Sequence, residues 1–317
     1  MKHLKSYKIF ESTSESNLPD GLLKMLDKSV KGTWKINSQT GKIDIEGDLK
    51  MLQVMPSKLP QGKLIANDLK ELFGGFEIGK VTGDYECARV STYSLEGGPE
   101  YVGGNFSVWQ NSHVKEMKGC PSFVGGDFQY SSQECLSNFK GSPDVVKGDF
   151  IYRYGGHRQC FLSSLKGLTP EIGGSLSIAD MEELGGGYIN HPSKKTKMDF
   201  PSFCESMSKS FKYWTALEDE RFFYKYFLPN LKKSPNSLIE KISIKDFLTS
   251  PYFSHREPTY ENTKFYRYLN NTMRKEVLSV LKPLSKDEET DKFIEEYEFN
   301  VKRDYHIERV KRIEGLY

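Results

Sequence analysis

The sequence predicts an α+β chain: a β-rich solenoid of about 22-residue coils followed by a small helical domain. Three observations predict it. Of the 27 glycines, 21 lie between Gly74 and Gly187 and none between Tyr188 and Glu314, so the composition changes near residue 188. Across the glycine-rich segment, a pair of short motifs recurs with one period. Beyond it the apolar spacing changes from about 2 to about 3.6 residues.

The first motif is a β-branched residue, any residue, Gly, a polar residue, then an aromatic or Leu. It occurs as Val81-Thr82-Gly83-Asp84-Tyr85, Val102-Gly103-Gly104-Asn105-Phe106, Val124-Gly125-Gly126-Asp127-Phe128, Val146-Lys147-Gly148-Asp149-Phe150 and Ile172-Gly173-Gly174-Ser175-Leu176, with glycines 21, 22, 22 and 26 apart. The second is apolar, Glu or Lys, then Gly: Leu95-Glu96-Gly97, Met117-Lys118-Gly119, Phe139-Lys140-Gly141 and Leu165-Lys166-Gly167. Both show the same four-residue insertion, which places it between Gly148 and Gly167, near Gly155-Gly156-His157. Alternation within each anchor puts Val124, Gly126, Phe128 and Tyr130 on one face and Gly125, Asp127 and Gln129 on the other, as in a half-buried strand. Stacked strands at 45–51, 81–87, 102–108, 124–130, 146–152 and 172–178 would bury rows led by Tyr85, Phe106, Phe128, Phe150 and Leu176. Counting Ile45–Met51 and a loose match at Pro60–Leu64 gives up to seven coils, with Trp34 and Ile36 opening the N-terminal cap.

The organisation expected is a leader and cap at 1–31, the solenoid at 32–187, a polar linker at 188–202 and a helical domain at 203–317. In that last domain Phe222, Phe223, Tyr226 and Phe227 mark a helix ending at Pro229, and Ser234-Pro235 opens the next. Tyr268, Leu269, Met273, Val277 and Leu281 mark a third. Ser285 with Glu288 forms a capping box for a last helix bearing Ile294, Tyr297, Val301 and Tyr305.

With 45 Lys and Arg against 43 Asp and Glu, the net charge of +2 supplies no basic field for nucleic acid or an acidic membrane. No apolar run approaches the ~18 residues of a membrane span. Five cysteines without a Cys-x-x-Cys pair argue against a disulfide framework or zinc site, and the N-terminus lacks a secretory signal, so reduced thiols and a cytoplasmic location are expected. There is no P-loop, Gly-x-Ser-x-Gly, His-Glu-x-x-His or EF-hand pattern. The Gly-Gly pairs precede strand residues, not a helix, and so do not form a phosphate loop. His157 with Cys160 lacks the second pair that a metal site needs. Asp127 and Asp149, one coil apart, read as solvated carboxylates. No cofactor, metal or catalytic residue is expected.

The repeat unit, with its anchor followed by Leu-Glu-Gly-x-Pro or Phe-Lys-Gly-x-Pro, resembles a family of leucine-rich-repeat-like proteins of tailed bacteriophages, over about residues 32–187. Gly32–Ser38 and Ile45–Asp48 are similar to that family's entry segment. The chain departs from the family at its Cys and Asn positions, which read Val108-Trp109-Gln110-Asn111 in one coil and Tyr152-Arg153-Tyr154-Gly155 in another. A second resemblance lies in Met1-Lys2, Tyr7, Phe10 and Glu11, similar to the capsid-targeting leader of internal phage-head proteins, with Ile9-Phe10-Glu11 resembling the tripeptide after which a prohead protease cuts. The competing reading is an amphipathic first turn with Leu4, Tyr7 and Phe10 on one stripe.

The resemblances imply a non-enzymatic phage protein acting through protein–protein contacts, associated with the virion or packaged in the head. It would be present in the host cytoplasm during infection. The alternatives are an intracellular binder or inhibitor of a host defence protein, and an enzyme with its site in the helical tail. Trp109, Gln129, Ile151 and Arg153, on the outward set of the alternating strands, are the candidate interface, since Trp and Arg most often carry contact energy. For Trp109 the competing reading folds the ring into a cap or under a loop.

Overall fold

The structure, a computed structural model, describes residues 18–52, 65–111, 113–132, 136–154, 162, 164–179, 195–249 and 271–313. The chain divides into two compact units, residues 1–163 with 171–196 and residues 164–170 with 197–317.

The first unit is a parallel β-solenoid. Helix α1 (Asp20–Ser29) buries Leu22 and Leu26 and leads into β1 (Val30–Ile36), which pairs antiparallel with β2 (Ile43–Leu52). A short helix α2 (Leu69–Leu72) follows, capped by Asp68, whose side chain accepts the Glu71 N–H. The rungs are β3 (Ile78–Val81) with β4 (Tyr85–Ala88), β5 (Tyr101–Val102) with β6 (Phe106–Asn111), β7 (Phe123–Val124) with β8 (Phe128–Ser132), β9 (Val145–Val146) with β10 (Phe150–Tyr154), and β11 (Glu171–Ile172) with β12 (Ser175–Ala179). They stack in the order β11-β9-β7-β5-β3-β2-β4-β6-β8-β10-β12, so β2 opens both parallel rows as one unbroken ten-residue strand. Pro60–Leu64, counted above as a coil, lies outside the described residues.

The anchor at 45–51 lies within the continuous β2, but the five that follow are not continuous strands, as alternation had suggested. Each of the five breaks at its Gly and polar residue into two short strands, and the hydrogen bonds explain the break. Three successive N–H groups point back to the preceding coil: Gly125 to Val102 O (2.9 Å), Gly126 to Gly104 O (2.8 Å) and Asp127 to Asn105 Oδ1 (2.8 Å). The next N–H, of Phe128, points forward to Asp149 O (2.8 Å). Asn105 cannot offer Asp127 its main-chain carbonyl, because that oxygen accepts from Tyr85 one coil earlier. Its side chain supplies the missing acceptor. The same bond recurs from Asp84 to Asp48, Asn105 to Asp84, Asp149 to Asp127 and Ser175 to Asp149, at 2.7–3.0 Å. Gly126 is therefore not an inward-facing residue: a Cβ there would lie 2.3 Å from Asn105 Oδ1, in the path of the bridging side chain.

Inside, the rows are buried. Tyr85, Phe106, Phe128 and Phe150 stack in line, with centroids 5.1, 5.2 and 4.9 Å apart. Beside them Val81, Val102, Val124 and Val146, and Cys87, Val108, Tyr130 and Tyr152, are buried. The second motif makes the return turn: Gly98 N–H bonds to Leu95 O with Gly97 at φ 89°, a type II turn repeated at Gly119 and Gly141. Leu95, Met117 and Phe139 point inward from it.

The second unit is helical. Asp199 caps α3 (Phe200–Lys209) through Ser202 N–H, and a hydrogen bond from the Ser202 side chain lowers the Asp199 carboxyl below its usual range, with Lys197 and the backbone bond adding to it. A 3-10 turn (Phe211–Glu218) and α4 (Glu220–Phe222) lead through a π turn (Phe223–Phe227) into α5 (Leu228–Lys233). The helix thus continues past Pro229. Proline lacks an N–H and crowds the carbonyl four residues back, and the widened turn, with Leu228 N–H reaching Phe223 O, accommodates it. Helix α6 (Asn236–Ile239) starts without the side-chain cap expected of Ser234, and α7 (Ile244–Thr249) follows. Tyr268 and Leu269 lie outside the described residues; α8 (Asn271–Leu281) buries Met273, Val277 and Leu281. Asp287, not Ser285, caps α9 (Glu288–Ile313), accepting Thr290 N–H at 2.7 Å, because a 3-10 turn at Lys282–Leu284 delays the helix start. Ile294 and Tyr297 of α9 are buried, as are Phe203, Phe222, Phe223, Tyr226 and Phe227, whose rings meet edge-on or tilted.

Residues 164–170 belong to this helical unit. Leu165 and Leu168 are fully buried, Thr215 Oγ1 accepts Leu165 N–H (2.6 Å), and Arg221 donates to Gly167 O (2.6 Å). A fragment spanning 197–317 should therefore fail to unfold cooperatively in a thermal melt, while one carrying 164–170 on a flexible linker should regain a transition. In the solenoid, Phe128→Ala should cost about 3–5 kcal/mol in chemical denaturation, since its ring is sandwiched between two others with no room to collapse.

Candidate interaction surface

The residues between the buried ones face outward. Glu86, Ser107, Gln129 and Ile151 pair in register along one row, which ends at the buried Ser177, and Trp109, Ser131 and Arg153 pair along the next. The structure therefore brings Trp109, Gln129, Ile151 and Arg153 onto one face across three coils. Arg153 is exposed and the other three are half-buried.

Trp109 is half-buried on the outer side of β6. Its indole N–H donates to Glu86 Oε1 (3.0 Å), and the Arg89 guanidinium lies 5.8 Å from the ring centre. Arg89 Nε in turn donates to Gln110 Oε1 (2.6 Å). Arg89 and Gln110 both hold left-handed backbones, φ 53° and 54°, a conformation that costs a residue with a Cβ of order 1 kcal/mol. Glu86, Arg89 and Gln110 escaped the sequence reading, whose only usable signal was their recurrence one period apart at the strand end. Asn111, beside them, is buried: its Oδ1 accepts Val90 N–H (2.7 Å) and its Nδ2 donates to Cys87 O (3.2 Å).

The type II turns border an open depression of about 400 Å³ lined by Lys42, Lys70, Lys118, Glu77, Glu96 and Glu100 among others. Its charges alternate and pair: Lys42 with Glu77 (3.0 Å) and Glu100, Lys70 with Glu77, Lys118 with Glu96 (2.8 Å). The bond to Glu100 raises Lys42, and those from Lys70 and Lys42 lower Glu77. Such solvated pairs are screened by water and salt and add little to stability.

Asp127 and Asp149 are corner acceptors in the backbone ladder, not merely solvated carboxylates. Among the described residues no three His, Cys, Asp or Glu side chains converge on a metal geometry, and no helix is long and apolar enough to cross a membrane. Ile9, Phe10 and Glu11, and His157 with Cys160, lie outside the described residues. Comparison of the chain with protein-family models, curated proteins and solved structures finds no match in any of the three.

Burial pushes the thiols of Cys87 and Cys204 up to about 12, and that of Cys120 upward as well. A thiol so raised is protonated at neutral pH and does not attack. Iodoacetamide at pH 8 should leave Cys87 and Cys204 unmodified in the native protein and alkylate both after unfolding, as read by peptide mass spectrometry.

Proposed function

We propose that this chain is a non-enzymatic bacteriophage repeat protein that acts through protein–protein contacts and is carried in the virion. The observation that carries the contact reading is the outer row itself: Trp109, Gln129, Ile151 and Arg153 share one face of a stack whose inner rows are filled with one side chain per coil. Stacked repeats present extended surfaces of this kind, and aromatic and Arg side chains are the ones that dominate contact energies. The phage origin rests on the repeat motif, and packaging rests on Met1-Lys2, Tyr7 and Ile9-Phe10-Glu11.

Mass spectrometry of purified virions tests the reading. A fragment beginning at Ser12 is expected inside mature heads, and Met1 retained on protein made outside infection. Glu11→Gln should block the cut. Full-length protein in mature heads would remove cleavage and keep packaging. Absence from virions would overturn packaging and favour a binder of a host protein.

A further inference from the structure

We infer that the outward sheet row of Tyr101, Phe123 and Val145 is a second docking surface, and that its occupant is a basic amphipathic helix of a partner protein. This surface lies on the first strands of the rungs, apart from the Trp109 face, and the inference stands whether or not that face binds anything.

The row is apolar, continuous and incompletely covered. Tyr101 pairs with Phe123, and Phe123 with Val145, in strict register, and the first two rings stack at 4.9 Å and 4°. All three side chains are half-buried. Lys80 closes one end of the stack, its ammonium 4.9 Å from the Tyr101 ring centre, so the row already receives a cation. Next to the row, Gly103, Gly104, Gly125 and Gly126 leave bare backbone, Lys147 of the third coil is paired with Glu171, and beyond them runs the corner column of Asp84, Asn105, Asp127 and Asp149.

The column gives the occupant its charge. Its ladder bond needs an acceptor oxygen and no charge, because Asn105 makes the bond to Asp127 N–H at 2.8 Å just as Asp127 makes it to Asp149. Among the described residues Asp84 and Asp127 have no ion-pair partner. Carboxylates repeated along a stack repel one another and a polyanion, and favour a cationic partner.

The spacing gives the occupant its form. Coils repeat at about 4.8 Å, the spacing of neighbouring strands, and an α-helix laid along the stack advances about 5.4 Å per turn, so one turn meets each coil with a drift under ~1 Å. An extended segment repeats its one-sided side chains every ~6.6 Å and falls out of step after one coil. A helix with apolar residues at i, i+4 and i+7 on the row and Lys or Arg on the adjoining stripe meets both features at once.

The experiment uses the full chain and two labelled 14-residue helical peptides of identical Leu pattern, one with Lys and one with Glu on the adjoining stripe. Fluorescence anisotropy at low salt should give a Kd at least about tenfold tighter for the Lys peptide. The double variant Asp84→Asn/Asp127→Asn, which keeps every ladder acceptor, should weaken that binding by about fivefold or more. Phe123→Ser should weaken it too, and the double variant's melting temperature should match the parent's. No binding of the Lys peptide, equal binding of both peptides, or unchanged binding by the double variant would overturn the inference. So would a marked fall in the double variant's melting temperature, which would assign the charges to the fold.

Discussion

The stack depends on one orphaned N–H per coil. At each corner the direction of hydrogen bonding turns over, and the polar residue there donates backward while the neighbour's carbonyl in that position is already turned the other way. An unpaired backbone donor in a packed stack costs free energy comparable to a lost hydrogen bond. The preceding coil's Asp or Asn supplies the acceptor, and its reach is possible because a Gly stands where a Cβ would block it. The Gly-Asx pair is thus one device spread over two coils: the Asx of one coil needs the Gly of the next. That requirement sets the in-line order of Tyr85, Phe106, Phe128 and Phe150, and it leaves the outer positions free of any comparable demand.

Much of this was legible from repetition. The period, the parallel stacking and the inner columns follow from motifs that recur in phase, because one residue per coil fills each inner row and only apolar types serve there. The break inside each anchor was not legible. Strand alternation assigns Gly126 and Phe128 to the same face, and nothing local in Val-Gly-Gly-Asp-Phe says that the hydrogen-bond direction turns over between them. The ladder role of Asp127 was hidden for the same reason, since a carboxylate in a glycine-rich strand looks the same whether it faces water or a neighbour's N–H. For the four outward candidates the facing was readable from alternation, but the Glu86–Trp109–Arg89 arrangement depends on register between coils.

In the helical unit the apolar spacing located the buried faces, while the ends were decided by competition among neighbours. Ser285 was displaced as a cap by Asp287, and Pro229 was absorbed by a π turn instead of ending its helix. Residues 164–170 carry the fourth copy of the turn motif, Leu165-Lys166-Gly167, so by sequence they match Leu95, Met117 and Phe139. By contact they belong with the helices, where Thr215 and Arg221 take up their main-chain groups. A repeat motif specifies its own local turn; which core receives the side chain is settled by what surrounds it.

Repetition within one chain also separates what the fold demands from what it tolerates. The inner row reads Tyr, Phe, Phe, Phe, Leu, while the outer row in register beside it reads Glu86, Ser107, Gln129 and Ile151, with no shared chemistry, before it ends at the buried Ser177. The first is held by packing, where losing a ring leaves a cavity. The second has no packing demand of that kind, so its composition is free to answer to something outside the stack. The corner column stands between the two cases: an acceptor is present at every coil, as the ladder requires, yet three of the four residues from Asp84 to Asp149 are charged where the uncharged Asn105 makes the same bond. A charge-assisted bond is the stronger one and like charges in line oppose it, so the fold alone gives no clear preference for Asp over Asn. The carboxylates belong with the outer rows, among the features that a partner can read.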